Sequence, residues 1–230
     1  MTARSFTLAD PASLDDLQTF LARAQRVEDG SVRLIGGGGV LAVYAAVLYP
    51  VGLSDETPTV LGLRTLALTS REALDAVVPI RSLLLRVERA QELAVAAIEQ
   101  GREEAPVVGV PMEVHTATWA AISPPRGGWR AVPGPDAAQL ERVASEGIAE
   151  VAGAVPDAVG EAIVRRVRGE VWGREIPGAE HIPAGAGFAA VSLGFLGDDE
   201  VKTYETGPWT RLTTSRGHVL VRRRAWTLVR

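Results

Sequence analysis

The sequence predicts an α+β fold with mainly antiparallel sheets, about five helices and two β-hairpins that each contain a tryptophan. Segments with helical spacing of apolar residues and strand-like segments are grouped, and the two kinds do not alternate regularly along the chain. Neighbouring strand-like segments are joined by short turns, which favours antiparallel pairing. The 230 residues, of which 47% are hydrophobic and 23% charged, suffice to bury a core.

The first element is a helix over about residues 14–27. Ser13 stands at a suitable N-cap position, Asp15 and Asp16 fall in the first turn, and Gly30 ends the segment. Apolar residues recur at helical spacing through it: Leu14, Leu17, Phe20, Leu21 and Ala24.

Three strands follow, over residues 31–35, 40–49 and 59–68. The four glycines 36–39 between the first two lack the Lys-Ser/Thr pair of a Walker loop. Leu41 stands where a dinucleotide-binding fingerprint requires a third glycine, and strand residues follow instead of a helix. We therefore interpret the four glycines as a flexible hairpin turn.

A second helix and a fourth strand complete the first half of the chain. Residues 75–79 lead into a helix that extends to Ile98, and residues 107–114 have the pattern of a strand. This strand feeds the first tryptophan hairpin, whose turn is the Pro-Pro-Arg-Gly sequence at 124–127.

The segment AVPGPD at residues 131–136 is the best candidate boundary, because its prolines and glycine disfavour regular structure. It predicts an N-terminal α+β subdomain over residues 1–132. A C-terminal subdomain of helices and a β-hairpin would then cover residues 133–230. The alternative is one continuous domain.

Three helices and a set of strands are predicted after this boundary. Asp136 caps the first helix, Pro156 and Asp157 begin the second, and the third covers about residues 184–196. The third helix is rich in glycine and alanine, which allows close packing against other elements. The last thirty residues have strand patterns and include the second tryptophan hairpin.

One pattern, Trp-x-x-aliphatic-hydroxyl-x-x-Arg-Gly, occurs twice, at residues 119–127 and 209–217. Paired indoles and arginines at turn tips are suited to recognition of an anionic ligand or an acidic peptide. We favour the structural interpretation of the repeat, in which each tryptophan covers a core while its arginine lies exposed in a turn. The candidate ligand-binding or partner-binding residues are Trp119, Arg126, Trp129, Arg130, Trp209, Arg216 and His218.

The first copy continues to a second tryptophan, and residues 119–130 are called the Trp/Arg loop below. Its Pro-Pro-Arg-Gly-Gly sequence is bracketed by Trp119 and Trp129. A semi-rigid arm of this kind is suited to the display of Arg126 to a partner.

No catalytic or metal-binding signature emerges from the sequence. Ser192 in AVSLG resembles a nucleophile elbow, and Asp198 or Asp199 and His218 follow it in hydrolase order. The residues before Ser192 predict loop and helix, however, where an elbow requires a strand. The three histidines lack metal-ligand spacing and the chain has no cysteine. We expect no cofactor and no metal, and the sequence leaves open whether the protein is an enzyme.

Charge is distributed unevenly along the chain. The net charge is −4, yet residues 201–230 hold seven basic residues and one acidic residue, a local charge of +6 that leaves −10 for residues 1–200. Such asymmetry marks an acidic-partner or nucleic-acid surface, or a terminal hairpin that docks on its own acidic body. The negative total argues against a general polyanion binder, so nucleic acid is not the favoured partner.

Location follows from absences in the sequence. No apolar stretch near the N-terminus serves as a signal sequence, and the longest apolar run, over residues 40–51, is about half of a membrane span. The absence of cysteine agrees with a reducing compartment. These features predict a soluble cytoplasmic protein that does not enter the membrane.

Several segments resemble a family of uncharacterised conserved proteins from high-GC actinobacteria. They are RVEDGSVRLIGGGGVLAVY, WAAISPPRGGWR, GIAEVA, VRGEVWG and WTRLTTSRGHVLVR. The resemblance implies a cytoplasmic protein and carries over no activity, cofactor or catalytic residue. It agrees with a basic set of 23 arginines and one lysine, which is typical of codon usage in a GC-rich genome.

The sequence therefore favours a non-enzymatic binding or regulatory protein that recognises an acidic protein surface or an anionic ligand through the Trp/Arg loop. One alternative is an enzyme that acts on an anionic small molecule in an arginine-lined pocket. Another is association with nucleic acid through the basic C-terminal strands. The oligomeric state stays open.

Overall fold

A computed structural model describes residues 4–52, 55–102, 105–154 and 160–222. Five α-helices and an extensive antiparallel strand arrangement within these residues confirm the predicted α+β fold class. The helices are α1 (Ala12–Val27), α2 (Ile80–Glu99), α3 (Ala137–Ala154), α4 (Glu161–Trp172) and α5 (Gly185–Ser192). The strands are β1 (Ser5–Thr7), β2 (Ser31–Gly37), β3 (Val40–Leu48), β4 (Thr59–Ala67), β5 (Leu74–Pro79), β6 (Val107–Gly109), β7 (Arg130–Val132), β8 (Glu175–Ile176), β9 (Ala179–Pro183), β10 (Lys202–Thr206), β11 (Trp209–Thr214) and β12 (Gly217–Arg222).

The chain divides into two compact units. Unit 1 comprises Met1–Ala45 and Leu63–Ala120, and unit 2 comprises Ala46–Gly62 and Ala121–Arg230. Strands β3 and β4 each contribute residues to both units.

Unit 1 pairs β5 with β2 and β2 with β3, both antiparallel, and β1 with β6 in a separate two-stranded sheet. The β2–β3 turn confirms the interpretation of the glycine run. Gly38 and Gly39 have φ values of +63° and +87° and join Gly37 to its partner Val40. A two-residue turn with both φ values positive matches the twist of a hairpin, and glycine adopts it without a steric cost.

Two sequence-based predictions for unit 1 were wrong: the Ser13 cap of the first helix and the assignment of residues 75–79. The side chain that caps α1 is that of Asp10, whose carboxylate accepts hydrogen bonds from the Ser13 amide and hydroxyl at 2.9 Å each. Residues 74–79 form strand β5 before α2 begins at Ile80. Pro79 has an extended backbone, and β5 pairs with β2 along its whole length. Pairing with β2 therefore makes this segment a strand, although the sequence suggested only a lead-in to the helix.

Unit 2 contains the strand order β4-β12-β11-β10-β7, with the short β8–β9 pair beside it. Helices α3, α4 and α5 pack on one another. The Trp172 ring on α4 stacks on Phe188 of α5 at 4.4 Å between centroids, and a Cβ at Gly187 would lie 2.8 Å from the Leu140 carbonyl oxygen. This close approach confirms the packing role expected of the small residues in α5. Asp136 caps α3 as expected, since its carboxylate accepts the Gln139 amide at 2.7 Å.

The register of β10, β11 and β12 gives two chemically different faces. One face lies towards Phe195, where a Cβ at Gly217 would overlap the Phe195 ring. Its side chains are mostly buried: Thr203, Glu205, Thr210, Leu212, Val219 and Val221. Alternation places the other set on the opposite face: Lys202, Tyr204, Trp209, Arg211, Thr213, His218, Leu220 and Arg222. All the basic side chains of these three strands therefore share one face.

Among the helices in the described part of the chain, none is long and apolar enough to cross a bilayer. Arg223, Arg224 and the predicted start of the fourth helix at Pro156 lie outside the described residues.

Candidate functional site

The first copy of the repeated pattern is not a β-hairpin, in contrast to the sequence prediction. Trp119 lies in a 3₁₀-helix over Thr118–Ala121, within which the Ala120 amide donates to the Ala117 carbonyl at 3.1 Å. Pro124 and Pro125 follow and provide no amide hydrogen for a ladder. Trp119 itself is 6% exposed, so its ring serves the packing of unit 1.

The second copy does form a hairpin, as predicted. Trp209 begins β11 and is 3% exposed, and Ser215 and Arg216 form the turn to β12. The Arg216 guanidinium donates to the Leu196 carbonyl at 2.9 Å, and its amide donates to the Thr214 hydroxyl at 3.2 Å. Arg216 therefore fixes its own turn against the chain segment that follows α5.

His218 is the third candidate of the second hairpin. Its Nδ1 lies 3.1 Å from the hydroxyl of Thr213, the residue opposite it on β11. The sequence alone does not establish whether Arg126 and Arg216 belong to one site.

Residues 125–130 of the Trp/Arg loop pack against β10. The Trp129 indole Nε1 donates to the Pro125 carbonyl at 3.1 Å and so closes a small ring of chain around the exposed Arg126. Gly128 has φ +77°, and a Cβ there would lie 3.3 Å from the Thr206 hydroxyl. The loop thus presents Arg126 to solvent while Trp129 is held at its base.

Trp129 and Tyr204 hold the guanidinium of Arg211. The Arg211 Cζ lies 4.5 Å from the Trp129 ring centroid and 4.7 Å from that of Tyr204, the residue opposite Arg211 on β10. Cation–π contacts of this kind contribute about 0.5–2 kcal/mol each, depending on how dry the site is. The rings orient the cation without neutralising it.

Arg211 has no carboxylate partner within the described residues. Its Nε is buried and makes no hydrogen bond. Burial lowers the pKa of Arg211 below the ordinary value, which the nearby Tyr204 only partly offsets. The guanidinium nonetheless stays protonated at neutral pH. The site therefore holds one charged fork whose hydrogen bonds the protein itself leaves incomplete.

A second group of charges lies at the base of the loop. The carboxylate of Glu205, opposite Arg130 in the β7–β10 register, is 3.6 Å from the Arg130 guanidinium and 3.6 Å from His181 Nε2. Glu205 is 18% exposed at its side chain and so faces largely inward. Arg130 is thereby partly neutralised, whereas Arg211 is not.

Unit 2 also contains an arginine-lined cleft of about 610 Å³, which lies between residues 51 and 55–58 on one side and α4 and the two residues after it on the other. It corresponds to the pocket that the enzyme alternative requires. Each of its guanidiniums is already paired with a glutamate: Arg165 with Glu161 at 2.6 Å, Arg166 with Glu170 at 3.2 Å, and Arg174 with Glu150 at 2.5 Å. Across the described ranges, no group of three or more His, Cys, Asp or Glu residues is placed to hold a metal ion.

Sequence reasoning placed Trp129 and Arg130 among the candidates but missed Tyr204, Glu205, Arg211 and His181. One signal for the Tyr204–Arg211 pair was present. A two-residue Gly207-Pro208 turn aligns Thr206 with Trp209, and that register puts Tyr204 opposite Arg211. The position of Trp129 over the pair depends on the packing of the Trp/Arg loop, for which the sequence carries no periodic signal.

Comparisons with known proteins give two family matches and a set of distant structural likenesses. Residues 1–113 match the model described as Domain of unknown function (DUF8010), and residues 124–226 match Domain of unknown function (DUF8185). No curated protein matches the chain.

The solved structures that resemble the chain include β sliding clamps. A Caulobacter crescentus clamp with PEG bound has 11% identity and a TM-score of 0.45, with coverage of 97% of this chain and 66% of the clamp. A Helicobacter pylori clamp bound to a DNA ligase peptide has 8% identity and a TM-score of 0.45, with coverage of 99% and 68%. A Pseudomonas aeruginosa clamp has 15% identity and a TM-score of 0.42, with coverage of 98% and 65%. The chain thus spans about two thirds of the length of these clamps.

Proposed function

We propose that the protein is a non-enzymatic binding protein that recognises an anionic group through Arg211 and the Trp/Arg loop. One observation carries the proposal: the Arg211 guanidinium is held by Trp129 and Tyr204 and has no carboxylate partner in the described part of the chain. Arginines that serve stability alone are normally paired when they leave water.

The hydrogen bonding of Arg211 is incomplete. A buried donor that lacks an acceptor costs about 1–3 kcal/mol, and more for a charged group. The buried Nε of Arg211 is such a donor. The Nε keeps this cost whether or not a ligand is bound. The gain on binding therefore comes from the charge-assisted hydrogen bonds that an anion accepts from the terminal Nη groups of the same cation.

The loop contributes a second, more exposed cation. Arg126 lies in solvent at the bend that the Trp129–Pro125 hydrogen bond closes. A rim cation of this kind raises the association rate more than the final affinity. Arg211 then anchors the ligand and Arg126 guides it.

Thermal unfolding with a panel of small anions at constant ionic strength tests the proposal. The panel contains acetate, glutarate, citrate, inorganic phosphate and a glutamate-rich peptide. We expect at least one anion to raise the Tm of the wild-type protein and to leave Arg211→Gln unchanged, because ligand that binds only the native state stabilises it.

The matched control is Arg142→Gln, which removes an exposed charge from α3 and should respond as the wild type does. Equal shifts in all three proteins, or none in any of them, would contradict the proposal.

We also propose the cytoplasmic location that the sequence predicts. Subcellular fractionation of the native host tests it.

A further inference from the structure

We infer that the anionic group bound at Arg211 is a carboxylate of an acidic protein segment. This inference rests on the proposed binding function and names its partner class. Three features of the site support it: the geometry of the guanidinium, the local charge balance and the engagement of the aromatic rings.

The first feature is the edge that the guanidinium leaves free. Trp129 and Tyr204 lie against Arg211, and its Nε is buried, so an acceptor reaches the two terminal Nη groups. Two parallel N–H donors in one plane match the two oxygens of a carboxylate. The apolar ring surfaces beside them suit the methylene groups of an aspartate or glutamate side chain.

The second feature is the local charge. Glu205 and its partner Arg130 lie on the opposite face of the sheet from Tyr204 and Arg211, so this carboxylate does not neutralise the Arg211 guanidinium. One carboxylate balances one guanidinium. A phosphate monoester carries a charge of about −1.5 to −2 at neutral pH and has three acceptor oxygens, so a single fork satisfies it less well.

The third feature concerns nucleic acid as the competing polyanion. Proteins that bind single strands stack the bases on free aromatic surfaces. Here Trp129 and Tyr204 are engaged by Arg211, and Trp209 on the same sheet face is 3% exposed. The net charge of −4 adds a general repulsion of long polyanions. An acidic segment that offers one or two carboxylates fits this surface better.

A titration followed by NMR tests the inference, with the Trp129 indole N–H as a local reporter assigned through Trp129→Phe. The probes are a blocked tetrapeptide with two adjacent glutamates, its glutamine counterpart, its phosphoserine counterpart and a short oligothymidine. We expect the glutamate peptide to shift the Trp129 signal and the glutamine peptide to leave it in place.

Variants then separate charge from geometry. Arg211→Gln should weaken binding of the glutamate peptide by at least tenfold, and Arg142→Gln should leave it unchanged. Arg211→Lys keeps the charge but loses the planar fork, so it should also weaken binding severalfold.

The outcomes distinguish the inference from the proposed function. Tighter binding of the phosphoserine peptide or the oligothymidine, dependent on Arg211, overturns the carboxylate inference and leaves the binding function standing. If no probe moves the Trp129 signal in an Arg211-dependent way, both the inference and the proposed function are rejected. Retention of full affinity in Arg211→Lys also rejects the carboxylate fork.

Discussion

The two copies of the Trp-x-x-aliphatic-hydroxyl-x-x-Arg-Gly pattern have the same residue spacing and different structures. In the first copy, Trp119 lies in a 3₁₀-helix and Arg126 lies in an exposed bend. In the second, Trp209 lies in strand β11 and Arg216 is hydrogen-bonded to the Leu196 carbonyl. Both tryptophans are buried, so the copies share a packing role and differ at the arginine.

The residues between tryptophan and arginine explain the difference. The first copy has two prolines, which exclude a strand ladder, where the second has Thr214 and Ser215. The Thr214 hydroxyl donates to the Phe195 carbonyl at 2.7 Å and fixes the second turn from within. The indole is therefore buried in both copies of the pattern. The two residues before the arginine differ between the copies, and they determine whether the arginine is available for binding.

The largest expected effect is the loss of stability when either buried tryptophan of the pattern is removed. Trp119→Ala and Trp209→Ala should each lower the free energy of unfolding by about 3–5 kcal/mol, because each leaves a large cavity in a buried site. Denaturant titration measures this loss. Trp129→Ala, whose ring is half-buried, should cost less than either, and a loss below about 1 kcal/mol for Trp119 or Trp209 would refute their packing role.

The two terminal glycines of the pattern provide the next comparison. Gly217→Ala should cost about 1–3 kcal/mol, since the new Cβ would overlap the Phe195 ring. At the equivalent position of the first copy, a Cβ on Gly127 meets nothing within 4 Å, so Gly127→Ala should change stability by less than about 0.5 kcal/mol. Equal costs in the same titration would show that the two turns are packed alike.

Substitution of Arg216 should lower stability, whereas substitution of Arg126 should affect binding and leave stability unchanged. Arg216→Ala loses the hydrogen bond to Leu196 and should cost about 0.5–1.5 kcal/mol. Arg126→Ala should leave unfolding unchanged within about 0.5 kcal/mol and slow association with the glutamate peptide. Stopped-flow kinetics checks the second expectation, and an unchanged association rate would remove Arg126 from the recognition surface.

The smallest expected effect is an acid sensitivity confined to the second turn. The Ser215 amide donates to the Asp199 carboxylate at 2.7 Å and lowers the pKa of Asp199. A lowered native pKa means that this contribution to stability is present above the unfolded pKa and is lost as the pH falls through the native one. Asp199→Asn should therefore differ from the wild type at neutral pH and begin to converge with it as the pH falls below about 4. A constant difference across that range would exclude the carboxylate charge as the cause.

Elements with strong periodicity were predictable and elements that depend on pairing were not. The α1 stripe of Leu14 and Leu17, the glycine turn between β2 and β3, and the Asp136 cap of α3 all follow from local chemistry. Strand β5 and the short β8–β9 pair were missed, because their residues become strands only through partners distant in sequence. The same limit applied to the site, where Trp129 and Arg130 were expected and Arg211 was not.

By itself the sequence determined the α+β class, most element positions and the burial pattern of the repeated tryptophans, because hydrophobic spacing and turn chemistry act over a few residues. Only the tertiary structure decided which arginine is left unpaired. Arg216 donates a hydrogen bond to the Leu196 carbonyl, and Arg130 forms an ion pair with Glu205. Arg211 makes cation–π contacts with two aromatic rings. The partner of a charged side chain depends on register and loop packing, and those are fixed by contacts across the chain.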